Sequence, residues 1–246
     1  MEDKTLQDMD PETLRSFSRM IYGHEIWLEN VRKEDGEFRI YGLYGHKLVP
    51  DKPMPTDYAN PVLYDDDGRV EDPYRDIVND PRGWEFSFED AGADVYTLYV
   101  DSSSTWVTDD EGWHRGVKRD FSKSEYAGAF HMCAKRIISR DGKKVGDVRH
   151  AELEIIPDSA TLKVGGKARL EVLYEGKPLP NNKVIVYCRG WEDLKTMKTD
   201  SQGVLELDVA EPGTYAFITK YTDSSKAVSD EFDETSYTMT ITMEAE

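Results

Sequence analysis

The sequence predicts an all-β protein: two β-sandwich domains behind a short N-terminal helix. Three observations carry this expectation. Runs of alternating apolar and polar residues recur along most of the 246 residues, the period of half-buried strands. Turn residues separate those runs at short intervals. Long helical segments do not alternate with the strands, as a parallel βαβ sheet would require.

The elements follow in order. Asp10-Pro11-Glu12 reads as a helix start: an Asp cap, Pro at the first helical position and an acid in the first turn. Leu14, Phe17 and Ile21 then fall on one stripe, which predicts a short amphipathic helix over 11–22. The pattern next changes to period two. Phe38, Ile40, Gly42 and Tyr44 alternate with Glu37, Arg39, Tyr41 and Leu43. Further strand-like runs are Trp84–Phe88, Val95–Val100 and Phe130–Ala134, with turns at Asp67-Gly68, Pro81-Arg82-Gly83 and Asp141-Gly142. From residue 151 strands are expected over 151–156, 161–164, 168–174, 183–188, 204–209, 215–219 and 237–243. Seven strands in about 96 residues is the size of an immunoglobulin-like sandwich. The expected organisation is a helical extension over 1–23, a β-rich domain over 24–150 and a sandwich over 151–246.

Composition narrows the function. The chain holds 49 acids and 31 bases, a net charge of −18. Residues 1–150 carry 21 bases and 31 acids, and residues 151–246 carry 10 and 18, so the acidity covers both halves. Such a surface argues against a nucleic-acid backbone or an anionic membrane as partner. No apolar run approaches the ~18 residues of a membrane helix, so direct membrane insertion is not expected. The start, Met1-Glu2-Asp3-Lys4, lacks the basic-then-apolar order of a secretory leader. The sequence as written reads as cytoplasmic, or as extracytoplasmic after removal of a leader. One local reversal, residues 115–149, holds ten Lys/Arg against four acids. It reads either as strands paired with acidic neighbours or as a docking face for another protein.

Cys133 and Cys188 lie far apart and outside any C-x-x-C spacing, which predicts two buried core thiols. The serine-hydrolase elbow, the P-loop and the dinucleotide fingerprint are all missing, so no enzymatic activity is expected. Asp65-Asp66-Asp67-Gly68 fails as a calcium loop, because Leu63 and Tyr74 stand where ligands are needed. Glu231-Phe232-Asp233-Glu234 reads as a solvated loop.

Five histidines hold the remaining signal. Imidazole is a common neutral ligand for zinc, nickel, cobalt and copper. His24 lies in Gly23-His24-Glu25-Ile26-Trp27-Leu28, where Leu28 breaks any H-E-x-x-H match. His46 follows Gly45 at the end of a strong strand. His114 follows Trp113 in an acidic turn, and His131 lies inside a strand. His150 sits at the expected domain junction and reads as structural.

Taken in order, these residues resemble a known family. The pattern runs His24 to Leu28, then Gly45-His46 with Pro50, then the aromatic-rich span Tyr96 to Trp113. Ala134-Lys135, Leu153 to Pro157, Gly176 to Leu179, Thr199 to Gly203 and Pro212 to Tyr215 follow. This resembles a domain-of-unknown-function family known as an accessory component of nickel/cobalt uptake systems (NikK/CbiK-like, also filed under NikM). The C-terminal half also resembles the carboxypeptidase-regulatory type of sandwich. The resemblance implies a two-domain β protein, usually extracytoplasmic, that binds and hands on a divalent transition-metal ion. It places ligands at His24 and His46, with His131 and His114 as further candidates on chemistry alone, and a membrane transporter component as partner. Zinc or copper would compete for such donors. The alternative reading is a structural or protein-interaction module that binds no metal.

Overall fold

The computed structural model describes residues 24–50, 59–79 and 82–246. The expected helix over 11–22 lies outside them. The described chain is mostly β structure, in three sheets, joined by loops and short 3-10 turns.

The first sheet has the order β1 (Glu25–Glu34), β2 (Glu37–His46), β7 (Arg82–Glu89), β6 (Tyr74–Asn79), with β3 (Val49–Pro50) paired to β2. The central sheet joins strands from both halves of the chain. Its order is β15 (Lys195–Lys198), β14 (Lys183–Cys188), β17 (Gly213–Asp223), β18 (Glu234–Ala245), β10 (Tyr126–Ser139), β8 (Val95–Asp109), β4 (Asn60–Asp65), β5 (Gly68–Arg69), with β9 (Gly112–Arg115) on β8. The third sheet contains β11 (Leu153–Pro157), β12 (Lys167–Tyr174), β13 (Lys177–Pro178) and β16 (Val204–Asp208). The ladders are antiparallel except β10–β18, which runs parallel from Gly128–Glu234 to Lys135–Ile241.

Alternation sorts the central sheet's side chains onto two faces. Val186, Phe217, Met239, Ile241, Cys133 and Tyr99 turn towards the third sheet and close a core with Ile155, Leu170 and Val172. Leu98, Val100 and Ala134 turn the other way and meet Ile26, Leu28, Ile40 and Phe86 of the first sheet. Burial of each such side chain contributes ~1.5–3 kcal/mol. Trp27 and Leu43, on the opposite face of the β1–β2 ribbon, pack instead on Ile185, Tyr187 and Ile218. The ribbon therefore uses both faces against one sheet, with its β1 edge set on β10 and β18. The Leu28 carbonyl accepts the Thr242 hydroxyl there.

The residue 150/151 boundary falls in the connection between β10 and β11, and the central sheet runs across it. Two sandwiches thus share one layer. A buried ion pair ties that connection down. Lys135 Nζ on β10 donates to Glu154 Oε2 on β11 at 3.1 Å and to the Ile155 carbonyl at 3.2 Å. Glu154 Oε1 accepts the backbone N–H groups of His150 and Ala151 at 2.8 and 2.9 Å. Burial pushes the Lys135 pKa down.

Some local readings shift. Arg82-Gly83 begins β7 rather than a turn, and 161–164 contributes one bridge, Leu162 to Ala245, rather than a strand. Cys133 and Cys188 are buried free thiols, as expected. The 231–234 segment is engaged: Asp233 Oδ2 accepts the Ala127 N–H at 2.9 Å.

Candidate metal centre

The β1–β2 hairpin closes on Asp35-Gly36, both at positive φ (49° and 87°), between the paired Glu34 and Glu37. This is the two-residue turn that a right-twisted hairpin favours, and Asp-Gly is a preferred occupant. A bulge with Asn30 at φ 56° interrupts the ladder between Glu29 and Arg32. Beyond it the register is regular, with Ile26 opposite Tyr44 and Glu25 opposite Gly45. One further step brings His24 opposite His46, on the face that carries Tyr44.

The two imidazoles meet there. Their ring centroids are 4.2 Å apart and tilted by 44°. His24 also stacks on Tyr44, at 4.6 Å and 9°. His46 has no solvent exposure, whereas His24 is partly open.

The backbone after His46 makes the site local and stiff. Lys47 and Leu48 form a two-residue turn to β3, at φ 50° and 56°. Neither is Gly or Asn, and each left-handed L-residue costs ~1–2 kcal/mol. Leu48 offsets this by burying its side chain against Trp27, Leu43 and Ile218. Glu25, itself buried, accepts the Lys47 N–H with Oε2 at 3.2 Å. Strain held in this way clusters at functional positions.

His114 and His131 stand elsewhere. His114 Nε2 donates to Asp109 Oδ1 at 3.0 Å within the β8–β9 hairpin, and its ring lies against Phe121. Asp109 sits below the usual carboxylate range, held there first by the Glu111 N–H. His131 is exposed on β10 and stacks on Tyr237, centroids 5.3 Å apart. Among the described residues no three His, Cys, Asp or Glu side chains converge as a metal-binding group. The pair His24–His46 is what the fold assembles.

His150 belongs to a separate network. Its Nε2–H donates to Asp101 Oδ2 at 2.5 Å, and Nδ1 lies 3.1 Å from the Tyr64 hydroxyl. Asp101 raises the His150 pKa above its ordinary value, against a partial desolvation. The basic stretch 115–149 is largely paired inside the chain. Lys118 meets Asp233, Arg119 meets Glu231 and Asp230, Arg140 meets Asp90, and Lys144 meets Asp66.

Two features are not legible in the sequence. Glu25 adjoins His24, but only the hairpin register shows that its carboxylate reaches the turn after His46. Lys135 and Glu154 lie within two quoted motifs, and nothing in either motif shows that they meet.

The chain belongs to the family described as "Domain of unknown function (DUF4198)", whose model matches residues 21–223. No curated protein matches the sequence. Among solved structures, a two-domain fibronectin type-III segment of chicken tenascin aligns over 88% of this chain and 98% of its own, at 12% identity and a TM-score of 0.25. Domains MG0-NIE-MG1 of alpha-2-macroglobulin from Escherichia coli align over 87% and 71%, at 11% identity and 0.23. Murine CEACAM1b aligns over 91% and 98%, at 9% and 0.23. Scores this low add nothing to the topology described above. No helix among the described residues is long and apolar enough to cross a membrane.

Proposed function

We propose that this protein binds a divalent transition-metal ion, nickel or cobalt, through His24 and His46, and hands it on as a non-enzymatic accessory to metal uptake. The observation that carries this reading is the 4.2 Å approach of the two rings at the strained end of the β1–β2 hairpin. Two bonds of ~2.0–2.1 Å to one ion need ring nitrogens within ~4 Å of each other, and rings with centroids this close can offer them. Neutral imidazole is the donor that borderline ions prefer, so the chemistry of the pair fits the cargo. Two protein ligands leave the other coordination positions to water or to a partner's groups. That suits cargo that must be released, and it sets the expected affinity in the micromolar range rather than the nanomolar. The resemblance to nickel/cobalt uptake accessories supports the same assignment. The alternative, a metal-free interaction module docking through residues 115–149, draws less support, because most of that stretch pairs within the chain.

Calorimetric titration with nickel and cobalt, with elemental analysis of the purified protein, tests the proposal. Saturable binding that disappears in a His24→Ala/His46→Ala variant and survives in a His114→Ala/His131→Ala variant is expected. No binding tighter than ~100 µM, or equal binding by the first variant, overturns it. Zinc and copper should compete in solution, following the Irving–Williams order.

A further inference from the structure

Two imidazoles share one ion only while both rings keep their bearing. Hairpin register brings His24 and His46 together but does not by itself fix their planes, because the χ2 torsion of histidine is broad. A binding constellation must be held within about 0.5 Å and 10–20° of its productive geometry by neighbours that are themselves locked in place. The β1–β2 hairpin supplies one such neighbour for each histidine.

For His24 the neighbour is Tyr44. The two ring centroids are 4.6 Å apart and the planes differ by 9°. Tyr44 lies opposite Ile26, two residues before His46 on the same face of β2. A face-on stack restrains the plane of the imidazole without using its nitrogens, which lie on the ring edge. An imidazole that donates to a dication also becomes electron-poor. The negative face of the phenol ring then attracts it more strongly, so the contact strengthens on loading.

For His46 the neighbour is Glu25. His46 pairs with Val49 across the Lys47–Leu48 turn, so that turn sets the backbone from which the His46 side chain leaves. Both turn residues are left-handed, at φ 50° and 56°, a conformation that tends to relax unless it is held. Glu25 lies opposite Gly45 on β1 and is 2% exposed. Its Oε2 accepts the Lys47 N–H at 3.2 Å. One carboxyl group from β1 thus clips the turn that follows His46.

We propose that Tyr44 and Glu25 are the positioning residues of the histidine pair. Tyr44 holds the ring plane of His24, and Glu25 holds the backbone that aims His46. This rests on the metal-binding reading and adds to it what sets the affinity. Neither residue ligates the ion; each restrains one ligand.

The test uses the full chain with two pairs of variants. Tyr44→Phe keeps the stacking ring and Glu25→Gln keeps an oxygen acceptor. Tyr44→Leu and Glu25→Leu remove them while filling most of the volume, and urea midpoints check that the chains fold. Nickel titration by calorimetry reads affinity. Electron paramagnetic resonance of the copper(II)-loaded chain counts the coordinated imidazole nitrogens through their superhyperfine splitting, which a purely structural role would leave unchanged. The two leucine variants should bind nickel about fivefold or more weakly, the cost of immobilising a freed side chain, and the conservative pair should stay within about twofold of the wild type. The copper spectrum should show both nitrogens in the wild type and the conservative pair, and only one in the leucine variants. Unchanged nickel affinity and nitrogen count in both leucine variants overturns the proposal, as does equal weakening by the conservative pair. Wild-type binding with unaffected leucine variants removes the positioning roles alone. Absence of nickel binding by the wild type removes the metal reading itself and these roles with it.

Discussion

Replacing Lys135 by Met isolates what the buried ion pair does. The Lys135 and Glu154 side chains are 3% and 2% exposed, so water cannot take over for either. Removing the ammonium strands a carboxylate whose Oε2 has lost its main donor, while Oε1 still accepts two backbone N–H groups. Breaking a buried pair from one side costs ~3–5 kcal/mol. Glu154→Leu strands the ammonium and the two N–H groups, at a similar cost. In the double variant neither charge remains, and Met and Leu fill comparable volume. The residual loss is that of the two N–H groups, ~1–3 kcal/mol each. The coupling energy in the cycle should therefore exceed ~2 kcal/mol. Urea unfolding followed by far-ultraviolet circular dichroism and tryptophan fluorescence reads it. At a slope of ~3 kcal/mol/M the Lys135→Met midpoint should fall by ~1–2 M. Additivity of the two single variants within ~0.5 kcal/mol would refute the reasoning, because the groups would then be independent. A fall confined to one probe would show instead that the two sandwiches unfold separately.

Two further outcomes follow from the geometry. Asp101 raises the His150 pKa, the main cause, with Tyr64, Glu154 and Arg69 also near the ring. The folded value lies above the unfolded one, so this contribution is complete below pH ~6.5 and is lost as pH rises through the folded pKa. Asp101→Asn should flatten that part of the urea-midpoint profile between pH 6 and 8, and an unchanged profile would refute the assignment. Gly42 faces Phe86 so closely that an added Cβ would lie 2.4 Å from Cε2 of that ring. Gly42→Ala should cost ~1–3 kcal/mol by urea titration, and a neutral result would show that Phe86 moves aside freely.

Period-two alternation over Phe38–Tyr44, Trp84–Phe88 and Val95–Val100 determined that these segments are strands, because a half-buried strand shows its two faces in every pair of residues. It also determined the all-β class and, with the Gly-His string and the resemblance, nominated His24 and His46. Strand length was less legible: β8 runs to Asp109 and β10 starts at Tyr126, since their ends carry Ser, Thr and Gly where packing rather than pattern holds the ladder. The parallel pairing of β10 with β18 joins residues more than 100 positions apart, and no local signal encodes it. That pairing joins strands from both halves of the chain in one sheet. It set Lys135 beside Glu154. Hairpin register alone brought the two histidines together, through a turn chemistry visible at Asp35-Gly36 and a strained one at Lys47-Leu48 that sequence preference argues against. The alternation of side chains is a property of each strand and survives in the sequence. Which strands lie next to one another is decided by burial summed over the whole chain, so only the tertiary structure shows it.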